Sequence, residues 1–133
     1  MFAPSFFTGE LIRRFGVNRI MAIGALLGLA CVALNLAGTS VAHFWWALVA
    51  LGISWNFLFI GGTTLLTETY VQAERAKVQA ANDFIIFTTV ALASLSAGYL
   101  QHSFGWQAVN RGVVPLLLLI LVSIAWLTLK QRR

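Results

Sequence analysis

Asn56, Thr63 and Thr67, with Asn82, Asp83 and Thr89 further on, stand within or beside long apolar runs. An amide, hydroxyls and a carboxylate in that setting can hold a solute, pass a proton or tie helices together, and ionisable groups there are functional by default. They offer no covalent chemistry. No nucleophile is paired with a base, no glycine loop is built to cradle phosphate, and His43 and His102 are not spaced as metal ligands. We therefore expect no catalytic residue, no metal and no cofactor. Gly52, Asn56, Ile60, Thr63 and Thr67 are separated by three- and four-residue steps and share one helical face. Asn82, Thr89, Ala93 and Ser96 line a second small, polar face. Such faces point at other helices or at a cavity, because an amide turned to lipid goes unsatisfied. Asn56 is thus either a cavity residue or an interhelical hydrogen-bonding one.

The charged residues cluster between the two faces. Glu68, Glu74, Arg75 and Lys77 form a short turn, and Asp83 follows at the start of the next apolar run. Glu68 and Asp83 are the tempting intramembrane carboxylates. The plainer expectation is pairing with Arg75 or Lys77 at the membrane surface, or compensation of a helix start by Asp83.

These residues need long helices to position them, and the composition requires the same. Only 10% of the 133 residues are charged and 59% are hydrophobic, with a mean hydropathy of +0.84; soluble domains run near ~25% charged. The apolar residues come in runs divided by short charged clusters, which is the membrane pattern. Spans are expected at 18–38, 43–67, 78–100 and 106–129. Met1 to Ile12 rises only about 18 Å as helix, against a hydrocarbon core of about 30 Å, and reads as part of a further span. Gly24 and Gly28 have the spacing that lets helix backbones approach. Trp45, Trp46, Tyr99 and Trp106 suit an interfacial aromatic belt. Pro115 suits a long helix from Trp106 that kinks, since a start near Val114 leaves too short a span. The fold expected is all-α: four complete transmembrane helices plus a partial N-terminal one.

The net charge of +5 does not indicate nucleic-acid binding, because the nine basic residues lie in small groups separated by apolar runs. Placing 9–19, 68–77 and the C-terminal tail on one side collects every basic residue except Arg111. The positive-inside rule makes that side cytoplasmic, and Arg111 snorkels to the outer interface. Cys31 has no partner for a disulfide.

The segment Gly9 to Arg19 resembles an inner-loop signature of the major facilitator superfamily, carried here by Gly9, Arg14, Gly16 and Arg19. Arg13 stands where the family has an aspartate, and Asn18 takes the first of two closing basic positions. The departures resemble the second-half copy of the loop. The stretch from Gly52 to Gly62, continuing to Tyr70 and from Glu74 to Phe84, is similar to the region around the tenth and eleventh helices of bacterial members. The resemblance implies part of a six-helix half, from the end of the eighth helix through the twelfth. It also implies a secondary transporter of the bacterial inner membrane moving a small solute, often with protons, by alternating access. The missing N-terminal helices, or another chain, are then its partners, together with the bilayer.

Two other functions fit the bulk properties: a self-contained four-span homodimeric exporter, or a non-transporting membrane subunit. The exporter family of that size carries its essential carboxylate in the first span, and Ile20 to Ala37 has none. The expected topology is directly testable. A fluorescent-protein fusion at Arg133 glows and an alkaline-phosphatase fusion at His43 is active; the reverse pattern overturns it.

Overall fold

The computed structural model describes residues 2–131 and contains five α-helices among them. Helix α1 runs Phe2–Phe15, α2 Val17–Ala37, α3 Val41–Thr67, α4 Arg75–Phe104 and α5 Trp106–Gln131, with a 3-10 turn at Gln72–Glu74 before α4. Four of them, α2 to α5, are long and apolar enough to cross a membrane. At 1.5 Å per residue even α2, with 21 residues, rises about 31 Å. Helix α1 has 14 residues and falls short at about 21 Å. Pro115 lies inside a single helix that starts at Trp106. Arg132 and Arg133, placed with the basic side by sequence, lie outside the described residues.

Two expected loops are corrected. The Gly9 to Arg19 segment is helical up to Phe15, and the break is Gly16 alone. Gly16 has φ 87° and ψ 148°, an extended mirror-image conformation and not a left-handed helical one. That region excludes side chains, which explains the glycine. Its N–H donates to the Ile12 carbonyl at 2.8 Å, closing α1. The gap between the spans expected to end at 100 and to start at 106 is likewise helical through Phe104, with Gly105 at φ 80° as the single breaking residue. The α2–α3 connection is Gly38 to Ser40. Ser40 caps α3 by accepting the His43 N–H at 3.5 Å, and its hydroxyl lies 2.6 Å from His43 Nδ1.

Helix α2 is the centre of the packing: it lies along α3, against α5, and beside α1. Its small residues make this possible. A Cβ added at Gly24 would stand 2.9 Å from Phe57 Cβ and 3.3 Å from the Ser54 carbonyl of α3. One added at Gly28 would stand 2.9 Å from Leu117 of α5 and 3.1 Å from the Ser54 hydroxyl. Gly61 of α3 answers from the other side, leaving room for Met21. The Gly24–Gly28 spacing is therefore a real close-approach surface. Ala25, Ile20, Val32, Ala47 and Leu117 complete the buried apolar set around it. Helix α4 differs from all the others. It leans on α5 and buries none of its residues.

At the two ends, helix termini group as the charge reading requires. A cavity of about 500 Å³ is lined by Phe15 to Arg19 at the α1–α2 break, Leu65 and Glu68 at the end of α3, and Thr128 near the end of α5. At the opposite end Phe44 packs edge-on against Trp106, 5.6 Å between ring centroids. The charges of Arg13, Arg14, Arg19 and Lys130 therefore sit at the end opposite Trp106.

Replacing Gly28 by leucine overfills the α2–α3–α5 contact and should cost about 1–3 kcal/mol. Gly112→Leu, at a position open to space, should cost little. Thermal melts in detergent check the difference, and equal losses at both sites would overturn the close-approach account.

Candidate functional site

Asn56 is 7% exposed near the middle of α3 and hydrogen-bonds across to another helix. Its partners lie on α1. The Thr8 hydroxyl donates to Asn56 Oδ1 at 2.5 Å, and Asn56 Nδ2 donates to the Ser5 hydroxyl at 2.6 Å. Thr8 is fully buried and also lies 2.8 Å from the Pro4 carbonyl one turn back. One hydroxyl proton cannot serve two acceptors fully. Turning the amide over lets Asn56 donate to Thr8, Thr8 donate to Pro4 and Ser5 donate to Asn56, so either orientation keeps α1 bound to α3. Burying an amide in an apolar bundle is tolerable only with such partners.

Ser5 and Thr8 escaped the sequence reading because they lie about fifty residues upstream, on a segment too short to look like a span. Their three-residue spacing puts them on one helical face, and that was the signal available. Asn110 was also missed. It is 7% exposed and donates to the Trp106 carbonyl at 3.0 Å within its own helix.

The threonines behave differently from Asn56. Thr63 donates to the Phe59 and Ile60 carbonyls, Thr67 to Thr64, and Thr89 to Ile85 at 2.7 Å. Each hydroxyl is satisfied by its own helix and leaves only lone pairs for another group, so none of the three ties helices together here. The Asn35 amide turns back to Cys31 Sγ at 3.6 Å. Thr63 nonetheless contributes to a cavity of about 350 Å³ between α3 and the start of α4, with Phe59, Gly62, Thr69, Asn82 and Ile86. Thr89 is exposed on α4, on the face no other helix covers.

The charged turn does not pair as expected. Among the described residues the salt bridge within 4 Å is Arg13 to Glu10, at 2.8 Å and largely exposed. Glu68, Glu74, Arg75 and Lys77 are exposed and make no ion pair among themselves. Solvated charges at a helix end lose little by standing apart, since a surface pair gains only about 0–1 kcal/mol. Asp83 does not compensate a helix start either: α4 begins at Arg75, which leaves Asp83 about 12 Å along it, beyond the first turn where the dipole acts. It lies 3.5 Å from the Asn82 amide. Arg13, in the position of the family's aspartate, is occupied by its own-helix partner Glu10. No cluster that could hold a metal ion is present among the described residues.

The arrangement, an all-α bundle with small-residue contacts and a polar node at mid-depth, is that of a membrane-embedded helical protein, and comparison with known families narrows it. The Major Facilitator Superfamily profile matches residues 1–133, and the chain belongs to that family of membrane transporters. It is similar to the riboflavin transporter RfnT of Brucella anthropi, with 53% identity over 93% of this chain and 31% of the relative. Two Bacillus subtilis proteins, the MFS-type transporters YdeG and YddS, are 33% and 30% identical over 92% and 95% of the chain. The chain covers 29% of each, so it spans less than a third of the length of the curated relatives it matches. No solved structure matches it.

Asn56→Leu should loosen α1 from α3 at a cost of about 1 kcal/mol, the usual scale for a polar contact between membrane helices. Combining it with Thr8→Val should add little, because both changes remove one contact. Additive losses in a double-mutant cycle would show that Asn56 and Thr8 act separately.

Proposed function

We propose that the chain supplies the closing helices of a secondary transporter, with α1 as the end of the eighth helix and α2 to α5 as the ninth to twelfth. In this reading residues 18–38, 43–67, 78–100 and 106–129 cross a bacterial inner membrane. Arg13, Arg14, Arg19, Arg75, Lys77 and Lys130 face the cytoplasm, and so does the C-terminus. The transporter moves a small organic solute by alternating access between two halves, and that solute is riboflavin or a close relative of it. The observation that carries this reading is the 53% identity to a riboflavin transporter, sustained over nearly the whole chain.

The open side of α4 supports a larger assembly. A helix 30 residues long that buries none of them has its packing partners elsewhere. The row Asn82, Thr89 and Ser96 on that helix suits protein or water better than lipid. Protons drive the cycle in this proposal. Helices α2, α3 and α5 contain no carboxylate and Asp83 lies near the inner end of α4, so a deep titrating acid comes from the remaining helices. Glu68, Glu74, Arg75 and Lys77 then set topology at the inner surface, and the inner-loop residues Gly9, Arg13, Arg14, Gly16 and Arg19 form the hinge between the eighth and ninth helices.

Reconstituted in proteoliposomes, the complete transporter containing this segment takes up riboflavin saturably, faster with an inward proton gradient and at the basal rate with a protonophore. Residues 1–133 alone take up none. Saturable uptake by those residues alone would support the self-contained four-span exporter instead, and gradient-independent uptake would remove the proton from the mechanism.

A further inference from the structure

Five tryptophans occur in the chain, and four of them lie near helix ends. Trp45 and Trp46 stand in the first turns of α3 and meet edge-on at 4.9 Å, Trp106 opens α5, and Trp126 lies near its close with Lys130 over its ring. Those are interfacial positions, where an indole has its ring in hydrocarbon and its N–H in water. Trp55 is the exception. It stands mid-way along α3, about 21 Å from Val41 and about 18 Å from Thr67. Its indole N–H has no acceptor among the described residues. At that depth lipid offers none either, so the group requires something polar opposite it.

Trp55 is 44% exposed, and its neighbour one turn on, Phe59, is 36% exposed. Their rings are stacked, 16° from parallel with centroids 6.0 Å apart. Phe59 also forms a wall of the 350 Å³ cavity that holds Thr63, Thr69 and Asn82. An aromatic surface with an unused donor, starting at the depth where secondary transporters bind their solutes, therefore leads toward the inner end into a cavity with hydroxyls and an amide.

We propose that Trp55 and Phe59 form a stacking platform for a planar aromatic heterocycle, the Trp55 N–H donating to a ring carbonyl and Thr63 and Asn82 meeting polar groups beyond the ring. This rests on the flavin reading above and adds the residues that contact the solute. A flavin has both features required: a flat fused ring system with carbonyl oxygens at its edge, and a polyhydroxylated chain that suits the hydroxyls and amide. Trp55 stands about 100° and Phe59 about 60° around α3 from Asn56, and the Asn56 hydrogen bonds to Thr8 and Ser5 use neither ring.

Indole stacked on a flavin quenches its fluorescence, which gives a readout that packing alone does not produce. Riboflavin is titrated into the purified complete transporter in detergent. The wild type should quench bound riboflavin, and Trp55→Leu should lose most of the quenching and weaken binding about tenfold, the scale of one aromatic–base stack. Trp55→Phe should keep the affinity within about twofold while quenching less, and Phe59→Leu should weaken binding with quenching partly retained. Full affinity and quenching in both leucine variants would overturn the platform and leave the flavin reading standing. No riboflavin binding by a wild-type protein that transports another solute would overturn the flavin reading and the platform with it.

Discussion

The closeness of α2 and α3 is the constraint on which everything else in the chain depends. Between helices in a bilayer there is no water to expel, so association rests on dispersion contacts and hydrogen bonds. Both require short distances. Gly24 and Gly28 on α2 and Gly61 on α3 remove the side-chain layer that would hold the two backbones apart, and Leu117 of α5 fills the remaining space beside Gly28. Helix α3 held this way presents Asn56 to α1 on one side and Trp55 with Phe59 on another. The glycines thus set the orientation of the side chains that carry polarity at mid-depth.

Most hydroxyls in the bundle are satisfied at short range. Threonine and serine hydroxyls reach the carbonyl three or four residues back, as Thr89, Ser96 and Ser123 do. An amide with two donors and an acceptor cannot do this so easily, and Asn56 reaches across to α1 instead. The amides of Asn35 and Asn110 nonetheless stay within their own helices, so the tie at Asn56 depends on Thr8 and Ser5 standing opposite it. That dependence explains why a row of small polar residues on a helix face does not by itself identify a contact.

Much of the fold was legible because long apolar runs and clustered basic residues have few alternatives. The four long helices and the single α5 through Pro115 follow from run length and proline chemistry. The loops were less legible, since one glycine in an extended mirror conformation interrupts a helix without the polar cluster that usually marks a turn; Gly16 and Gly105 both do so. The candidate site was legible only by residue type. Asn56 stood out, and spacing puts Ser5 and Thr8 on one face, yet their pairing with it was not predictable because it depends on how α1 crosses α3. Charge pairing failed for the opposite reason: Glu68 and Arg75 are close in sequence, but at an exposed helix end solvation removes the incentive to meet.

The connections between helices also differ in slack. Between α4 and α5 there is one residue, Gly105, and between α1 and α2 one residue, Gly16. Between α3 and α4 there are seven, Glu68 to Glu74, three of them wound into a 3-10 turn. A one-residue joint behaves as a pivot: it transmits a pull along the chain without delay and lets neighbours swing only about a point. A seven-residue strap pays out before it pulls. Helix α5 is itself held against α2, so the helix this slack leaves room to shift is α4, hung between its pivot at Gly105 and the strap at the charged end.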